Sequence, residues 1–399
     1  METPKAAADI REKSRIARRM SDIQPFHVMA LLARARELEA QGRSIIHMEI
    51  GEPDFPTPHP VVAAGIRALQ QGNIHYTPAL GLPQLREAIA TFYLKRYGLR
   101  ISPARIIVTP GASGALLLAL GILVNSGDKV LISDPGYPCN RHFARLIESV
   151  PVSIVTSAAN GYQLTSELIA QHWEATTAAA IIASPANPTG TLLGAQNLRL
   201  IVEKVRALGG ALIADEIYHG LVYDGEATSA LSVSDGVFVI NSFSKYFGMT
   251  GWRLGWLVAP ESCVHDADKL AQNIFLAAST PAQYAALAAF QPDSIAILEQ
   301  RRAEFKLRRD YLLPAVRKLG LEVPVNPQGA FYLYADSSRY ADDSETFAWE
   351  ILERAGVAVA PGVDFGSHEA RQHVRFSYTT SLENLMEGIR RLEIFLHNS

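Results

Sequence analysis

Five short segments of this chain carry the residue types that chemistry needs. Gly111-Ala112-Ser113 is a run of small residues, Tyr137 follows Asp134-Pro135-Gly136, and Asn187 precedes Pro188. Asp215 and Tyr218 share one tetrapeptide, and Ser242 and Ser244 lead into Lys245, with Arg253 eight residues further on between Gly251 and Gly255. Small residues between a strand and a helix leave backbone N–H groups free at the positive helix end, where a phosphate can sit. The serines add hydroxyl donors. Arginine adds a planar fork that can meet two phosphate oxygens, and its glycine neighbours allow close backbone approach. Each residue has a plainer use by itself: an aspartate can cap a helix, an asparagine before proline can turn the chain, and a tyrosine can be a half-buried phenol. Together they describe a phosphate-bearing ligand held by a lysine and an arginine over one carboxylate, an amide and phenols.

Such residues need a scaffold that gathers them. Short β-branched runs occur at Arg105–Thr109, Lys129–Asp134, Val152–Val155, Ala179–Ala183, Ala211–Asp215, Val237–Asn241 and Gly255–Val258. Helical segments lie between most of them, such as Ser113–Val124, Cys139–Glu148 and Ala195–Leu208. Continuous apolar runs predict strands buried on both faces, hence a mostly parallel sheet covered by helices, with ligands outside the carboxyl ends of the strands. The chemical segments all follow such ends. Val28–Glu39 has helical spacing and Gly42 stops it. After Pro292 a charged helix (Leu298–Leu319) leads to short strands at Ala330–Tyr334, Val357–Ala360 and Val374–Tyr378 and a closing helix, the pattern of a smaller α+β domain.

Composition narrows the class. The chain has 399 residues, 37 basic against 40 acidic, and a net charge of −3, which argues against a nucleic-acid partner. Its two cysteines, Cys139 and Cys263, build no disulfide framework and fit a reducing cytoplasm. The longest apolar run, Ala115 to Val124, is far short of the ~20 residues that span a bilayer. The first twenty residues are rich in Lys and Arg without an apolar core, the pattern of a solvated arm rather than a secretory signal. No G-x-G-x-x-G follows a strand, no phosphate-binding P-loop occurs, and Gly111-Ala112-Ser113-Gly114 is one residue short of a nucleophile elbow. His368, Glu369 and His373 superficially resemble a zinc motif. On a helix, histidines five apart diverge by ~140°, so both are expected at the surface and no metal is expected.

The segment from Ser242 to Gly255 resembles the pyridoxal-phosphate attachment motif of class I/II aminotransferases (fold type I, the aspartate aminotransferase superfamily). Further segments of that family follow in its order: Gly51-Glu52-Pro53-Asp54-Phe55, Tyr76 with Gly81 and Leu85-Arg86, Asn187-Pro188-Thr189-Gly190, Asp215-Glu216-Ile217-Tyr218, Pro327 to Tyr332, and Arg375. The resemblance covers about residues 20 to 395. It implies an α/β fold with a large domain, built on a mostly parallel sheet of about seven strands between helices, and a smaller α+β domain drawn from both chain ends. The implied divisions are an N-terminal arm (1–20), a segment joining the small domain (21–50), a large cofactor-binding domain (51–291) and a small domain (292–399).

The resemblance also implies roles. Lys245 carries pyridoxal 5'-phosphate as an aldimine and shuttles the substrate's α-proton. Asp215 pairs with the pyridine nitrogen, Asn187 and Tyr218 bond the phenolic oxygen, and Tyr137 stacks on the ring. Gly111, Ala112, Ser113, Ser242 and Arg253 hold the phosphate, with Tyr76 from a partner subunit of a homodimer. Arg375, with the Gly51 backbone and Asn187, grips the substrate's α-carboxylate. The implied reaction is a ping-pong exchange of an amino group between an amino acid and a 2-oxo acid. Aspartate-specific members of the family carry a small hydroxyl residue where this chain has Phe26, and a lysine where it has Ser113. Both changes disfavour an acidic side chain, so neutral donors (alanine-like, aromatic or aliphatic) are expected, with 2-oxoglutarate as one acceptor. An aspartate aminotransferase, a C–S lyase or a decarboxylase on the same fold are the alternatives. A DNA-binding regulator would need a helix-turn-helix domain ahead of the core, where about twenty residues stand.

Overall fold

The computed structural model describes residues 16–397, so residues 1–15 of the expected arm lie outside the described residues. Seven runs form the main sheet: β2 (Ile106–Thr109), β3 (Lys129–Asp134), β4 (Val150–Val155), β5 (Thr177–Ala183), β6 (Ala211–Asp215), β7 (Phe238–Ser242) and β8 (Gly255–Val258). They lie in the order β2-β8-β7-β6-β5-β3-β4. Every neighbouring pair is parallel except those made by β8, which runs against both β2 and β7. The mostly parallel, seven-stranded sheet expected from the apolar runs is therefore present. Apart from the edge strand β4, its strands are largely buried because helices cover both faces, which is why they read as unbroken hydrophobic runs. The helix Gly111–Leu123 shows this best: Ala115, Leu116, Leu118, Ala119 and Leu120 are all buried.

A second sheet of three antiparallel strands is built from β9 (Tyr332–Asp336), β11 (Ala360–Pro361) and β12 (His373–Ser377), ordered β11-β12-β9. The run expected as one strand over 357–360 is instead split. Val357–Ala358 (β10) pairs in parallel with Ile46–His47 (β1), whereas Ala360–Pro361 pairs with β12. The N-terminal segment thus shares a sheet with the C-terminal part of the chain. The long charged helix begins at Pro292, earlier than its charge pattern suggested, and runs to Lys318. Proline suits its first turn, where an N–H would be unpaired anyway. The N-terminal helix spans His27–Ala40, and Gly42 at φ 88° turns the chain out of it.

His373 departs from the surface position expected of it. It opens β12, is 6% exposed, and stacks on Tyr334 at 4.6 Å and 6° between ring planes. The spacing argument treated the segment as helical, whereas a turn at Glu369 feeds the histidine into a buried strand. His368 and Glu369 remain exposed.

Candidate active site

The carboxyl ends of β2, β3, β5, β6 and β7 open on one cavity of about 280 Å³, closed on its other side by the second sheet and the start of the N-terminal helix. Asp215 is the last residue of β6. Its Oδ1 accepts the Ile217 N–H at 3.1 Å, and burial raises its pKa to about 6 against the pull of that bond and of Lys245. The next residue, Glu216, points away from the cavity. It accepts the Ala230 N–H at 2.7 Å and the Ser229 hydroxyl at 3.1 Å, while burial pushes it up to about 8. Strand alternation therefore delivers one carboxylate of the pair to the cavity.

Lys245 stands three residues past the end of β7. Its Nζ donates to the Gly51 carbonyl at 2.7 Å, and lies 5.8 Å from the Tyr218 ring and 5.7 Å from the Phe331 ring. Burial, joined by the Arg375 and Arg253 charges, lowers its pKa to about 8 against the pull of Glu52 and Asp215. Few ammonium groups are so placed. At neutral pH a tenth or so of the lysine is free base.

Opposite the lysine the helix Gly111–Leu123 presents its first turn, with Ala112 and Ser113 lining the cavity. Gly111 sits at φ 71°, and a Cβ there would come within 2.7 Å of Arg253 Nη2. That glycine admits both a left-handed backbone and the close approach of the arginine. Arg253 itself has φ 52° and donates to the Thr250 carbonyl at 3.1 Å, with the Ser244 hydroxyl at 3.5 Å. A left-handed, non-glycine residue stores strain of about 1–3 kcal/mol. Ser242 Oγ accepts the Ser244 N–H at 3.0 Å and lines the same cradle.

Arg375 comes from the second sheet, in the middle of β12. It is 5% exposed and lies between the rings of Tyr332 (4.3 Å) and Phe365 (4.6 Å). Its Nη1 donates to Asn187 Oδ1 at 3.0 Å and its Nη2 to the Glu49 carbonyl, while its buried Nε has no partner. Tyr218 and Tyr332 share a hydrogen bond at 2.8 Å between phenolic oxygens. Tyr137 and Phe26 also line the cavity. Gly51 abuts the Tyr332 hydroxyl so closely that a Cβ would fall 1.9 Å from it.

Sequence reasoning thus brought together Lys245, Asp215, Tyr218, Asn187, Tyr137, Ala112, Ser113, Ser242, Arg253, Arg375, Gly51 and Phe26, with Gly111 just behind the cradle. Tyr76 is not among them. It is 84% exposed and absent from this chain's cavity. Three residues were missed. Tyr332 lay inside a recognised segment but was given no part, and Phe365 and Asp364 carry no motif; only the topology places them beside Arg375.

The donor set fits pyridoxal 5'-phosphate. It offers an amine for an aldehyde, one buried carboxylate for a basic ring nitrogen, an amide and a phenol for a phenolate oxygen, and a glycine-shaped cradle with an arginine for a phosphate. The arrangement defines a fold type I, pyridoxal-phosphate-dependent enzyme. Residues 43–392 match the family model described as aminotransferase class I and II. The chain belongs to that family and is a pyridoxal-phosphate-dependent aminotransferase. It is 38% identical over 385 residues to a (5-formylfuran-3-yl)methyl phosphate transaminase of Methanocaldococcus jannaschii, covering 96% of this chain and 100% of the relative. It is 36% identical to a valine–pyruvate aminotransferase of Mycobacterium tuberculosis, covering 94% and 97%. The crystal structure of an aminotransferase from Mycobacterium tuberculosis superposes with a TM-score of 0.93 at 35% identity, over 97% of this chain and 100% of that one.

Proposed function

We propose that the enzyme moves an amino group between a neutral L-amino acid, alanine-like or with an aromatic or aliphatic side chain, and a 2-oxo acid such as 2-oxoglutarate, in a ping-pong cycle. The observation that carries this reading is the inventory of cavity cations. Lys245, Arg253 and Arg375 are the only ones among the lining residues, and each has a task at the cofactor or the α-carboxylate. Phe26, Val28 and Met29 form an apolar stretch of the remaining wall. A second carboxylate on the substrate would be buried there unpaired, which costs several kcal/mol. The likeness to a valine–pyruvate enzyme supports the same reading.

In this reading Arg375 binds the α-carboxylate through the N–H groups it turns to the cavity. Asn187 fixes the guanidinium by accepting from Nη1, and the Gly51 backbone borders the same place. Bound pyridoxal 5'-phosphate supplies the electron sink that makes the amino acid's Cα–H acidic. Lys245 Nζ would take that proton and return it, a task that a pKa near 8 suits. Asp215 holds the proton of the pyridine nitrogen through a charge-assisted bond. Tyr218 and Asn187 donate to the phenolic oxygen, and Tyr332 orients the Tyr218 hydroxyl. Tyr137 packs on the ring. Ala112, Ser113, Ser242 and Arg253 hold the phosphate, with the Gly111 backbone. Tyr76 serves the cavity of a second copy in a homodimer, as its 84% exposure beside exposed Ile74 (60%) and Leu69 (58%) supports. The second sheet and the β1–β10 pair are read as a small domain (21–50 with 292–399) against a large one (51–291), after an arm over 1–20.

Comparing kcat/KM for alanine, phenylalanine and aspartate tests the substrate class. Phenylalanine or alanine should lead. Aspartate ahead by about tenfold, ~1.4 kcal/mol of transition-state binding, would mean that the apolar wall does not govern selection.

A further inference from the structure

The apolar wall does not hold itself in place. Phe26 is the residue before the helix His27–Ala40, and its side chain cannot cap the unpaired N–H groups that a helix start leaves. The cap comes from far away in sequence. Asp364, in the short turn Gly362–Asp364 after β11, accepts the His27 N–H at 2.8 Å through Oδ1 and the Val28 N–H at 2.9 Å through Oδ2. It is 3% exposed, so the two amides and the positive helix end are what keep a buried carboxylate tolerable. The same turn reaches the rest of the cavity. The Asp364 carbonyl accepts Arg141 Nη2 at 2.6 Å, the Phe365 carbonyl accepts the Gly136 N–H beside Tyr137 at 2.8 Å, and the Phe365 ring lies over Arg375.

We propose that Asp364 is a positioning residue that sets side-chain selectivity by fixing Phe26 and Val28 against the substrate's side chain. Each carboxylate oxygen accepts a helix N–H, so its part is played through that wall. Because the turn that caps the wall also carries the ring over Arg375, the side-chain compartment is held at a fixed distance from the α-carboxylate grip. A large apolar side chain needs that distance. A methyl group does not. The inference rests on the reading that Phe26 and Val28 face the substrate's side chain. Helix His27–Ala40 keeps its own anchors in buried Leu31, Ala35 and Leu38, so losing Asp364 frees its start without releasing the helix.

The test is a pair of variants assayed as holoenzymes with 2-oxoglutarate as acceptor. In Asp364→Ala the ratio of kcat/KM for phenylalanine to that for alanine should fall by about tenfold or more, through the phenylalanine KM, with alanine kcat within about threefold of the parent. Asp364→Asn, whose amide oxygen can still accept one N–H, should fall between the two and so report partial rescue. A ratio within about twofold of the parent in both variants, or an equal loss of kcat on both substrates, overturns the proposal. If Asp364→Ala does not accumulate as folded holoenzyme, the ratio in Asp364→Asn decides alone: a fall of more than about twofold supports the proposal, and a ratio within about twofold of the parent overturns it. A parent enzyme that prefers aspartate would defeat the neutral-donor reading, yet the change in the phenylalanine-to-alanine ratio would still decide what Asp364 does.

Discussion

The acid–base state of Lys245 can be read directly, before any turnover. Burial and two guanidinium neighbours bring its pKa from an ordinary 10.5 to about 8. At pH 7 such an amine is unprotonated in about one molecule in ten, against roughly one in three thousand for an ordinary lysine, a gain of ~300-fold in nucleophilic form. After burial the largest contribution is the Arg375 charge, so Arg375→Gln should move the titration to higher pH. Competitive acetylation of the cofactor-free protein across the neutral-to-alkaline range, with the Lys245 peptide quantified by mass spectrometry, measures both. The parent midpoint should lie near 8, well below the ordinary lysine value, and the variant's should rise. The stability consequence has a definite sign. Between pH 8 and 10.5 the unfolded chain binds the lysine proton and the folded chain does not, so the cofactor-free protein gains stability as pH rises through that window. Lys245→Met removes this dependence and should stabilise the cofactor-free protein at pH 7 by up to about 3 kcal/mol. A Lys245 midpoint at the ordinary lysine value, or a downward shift in Arg375→Gln, refutes the reasoning.

Further outcomes are expected. Asp215→Asn should slow transamination by about one to two powers of ten, the worth of a hydrogen bond to a charged group at about 1.5–3 kcal/mol; single-turnover rates within about threefold of the parent would contradict that part. In the parent, cofactor affinity should fall as the pH drops below about 6, where the Asp215 carboxylate takes up a proton. Tyr76→Phe should weaken cofactor binding by about tenfold, measured by equilibrium dialysis, and gel filtration should give twice the 43.5 kDa chain; a mass near one chain removes the partner role of Tyr76.

The large sheet was legible in the sequence because both of its faces are covered. β3, β6 and β8 fall where the apolar runs place them, and the residues after the strands converge as an open parallel sheet requires. The second sheet was harder. Its strand β11 and the strand β10 before it, which pairs with β1 in a separate two-stranded sheet, are two residues long, and the partner of β10, Ile46–His47, lies far off in sequence, so no local pattern marks the division at Val359. The same holds for the site. Lys245, Asp215 and Asn187 sit in motifs whose chemistry shows in the residue types. Asp364 and Phe365 do not, because their work consists of contacts with His27, Val28 and Arg375, and only the folded chain makes those contacts. His373 shows the converse error: a spacing read on a helical wheel failed because the segment is a turn entering a strand.

In its proposed role as the α-carboxylate grip, Arg375 bears on the choice between transamination and loss of the carboxylate. Two of its nitrogens are tied to Asn187 and the Glu49 carbonyl, two aromatic rings hold its plane, and Nε is left with no partner inside the protein. A buried N–H without a partner costs about 1–3 kcal/mol, and a carboxylate that meets this nitrogen recovers that energy along with a charge-assisted bond. Those gains exist only while the substrate's negative charge stays on the carboxylate. Release of carbon dioxide moves that charge away from the guanidinium as the bond breaks, so the transition state for decarboxylation forfeits contacts that the bound amino acid enjoys. Removal of the α-proton leaves the carboxylate and its contacts intact. A rigid, pre-tied arginine therefore favours cleavage at Cα–H over cleavage at Cα–COO⁻ before the lysine has acted at all, and the phenol pair of Tyr218 and Tyr332 beside it helps to keep that geometry fixed.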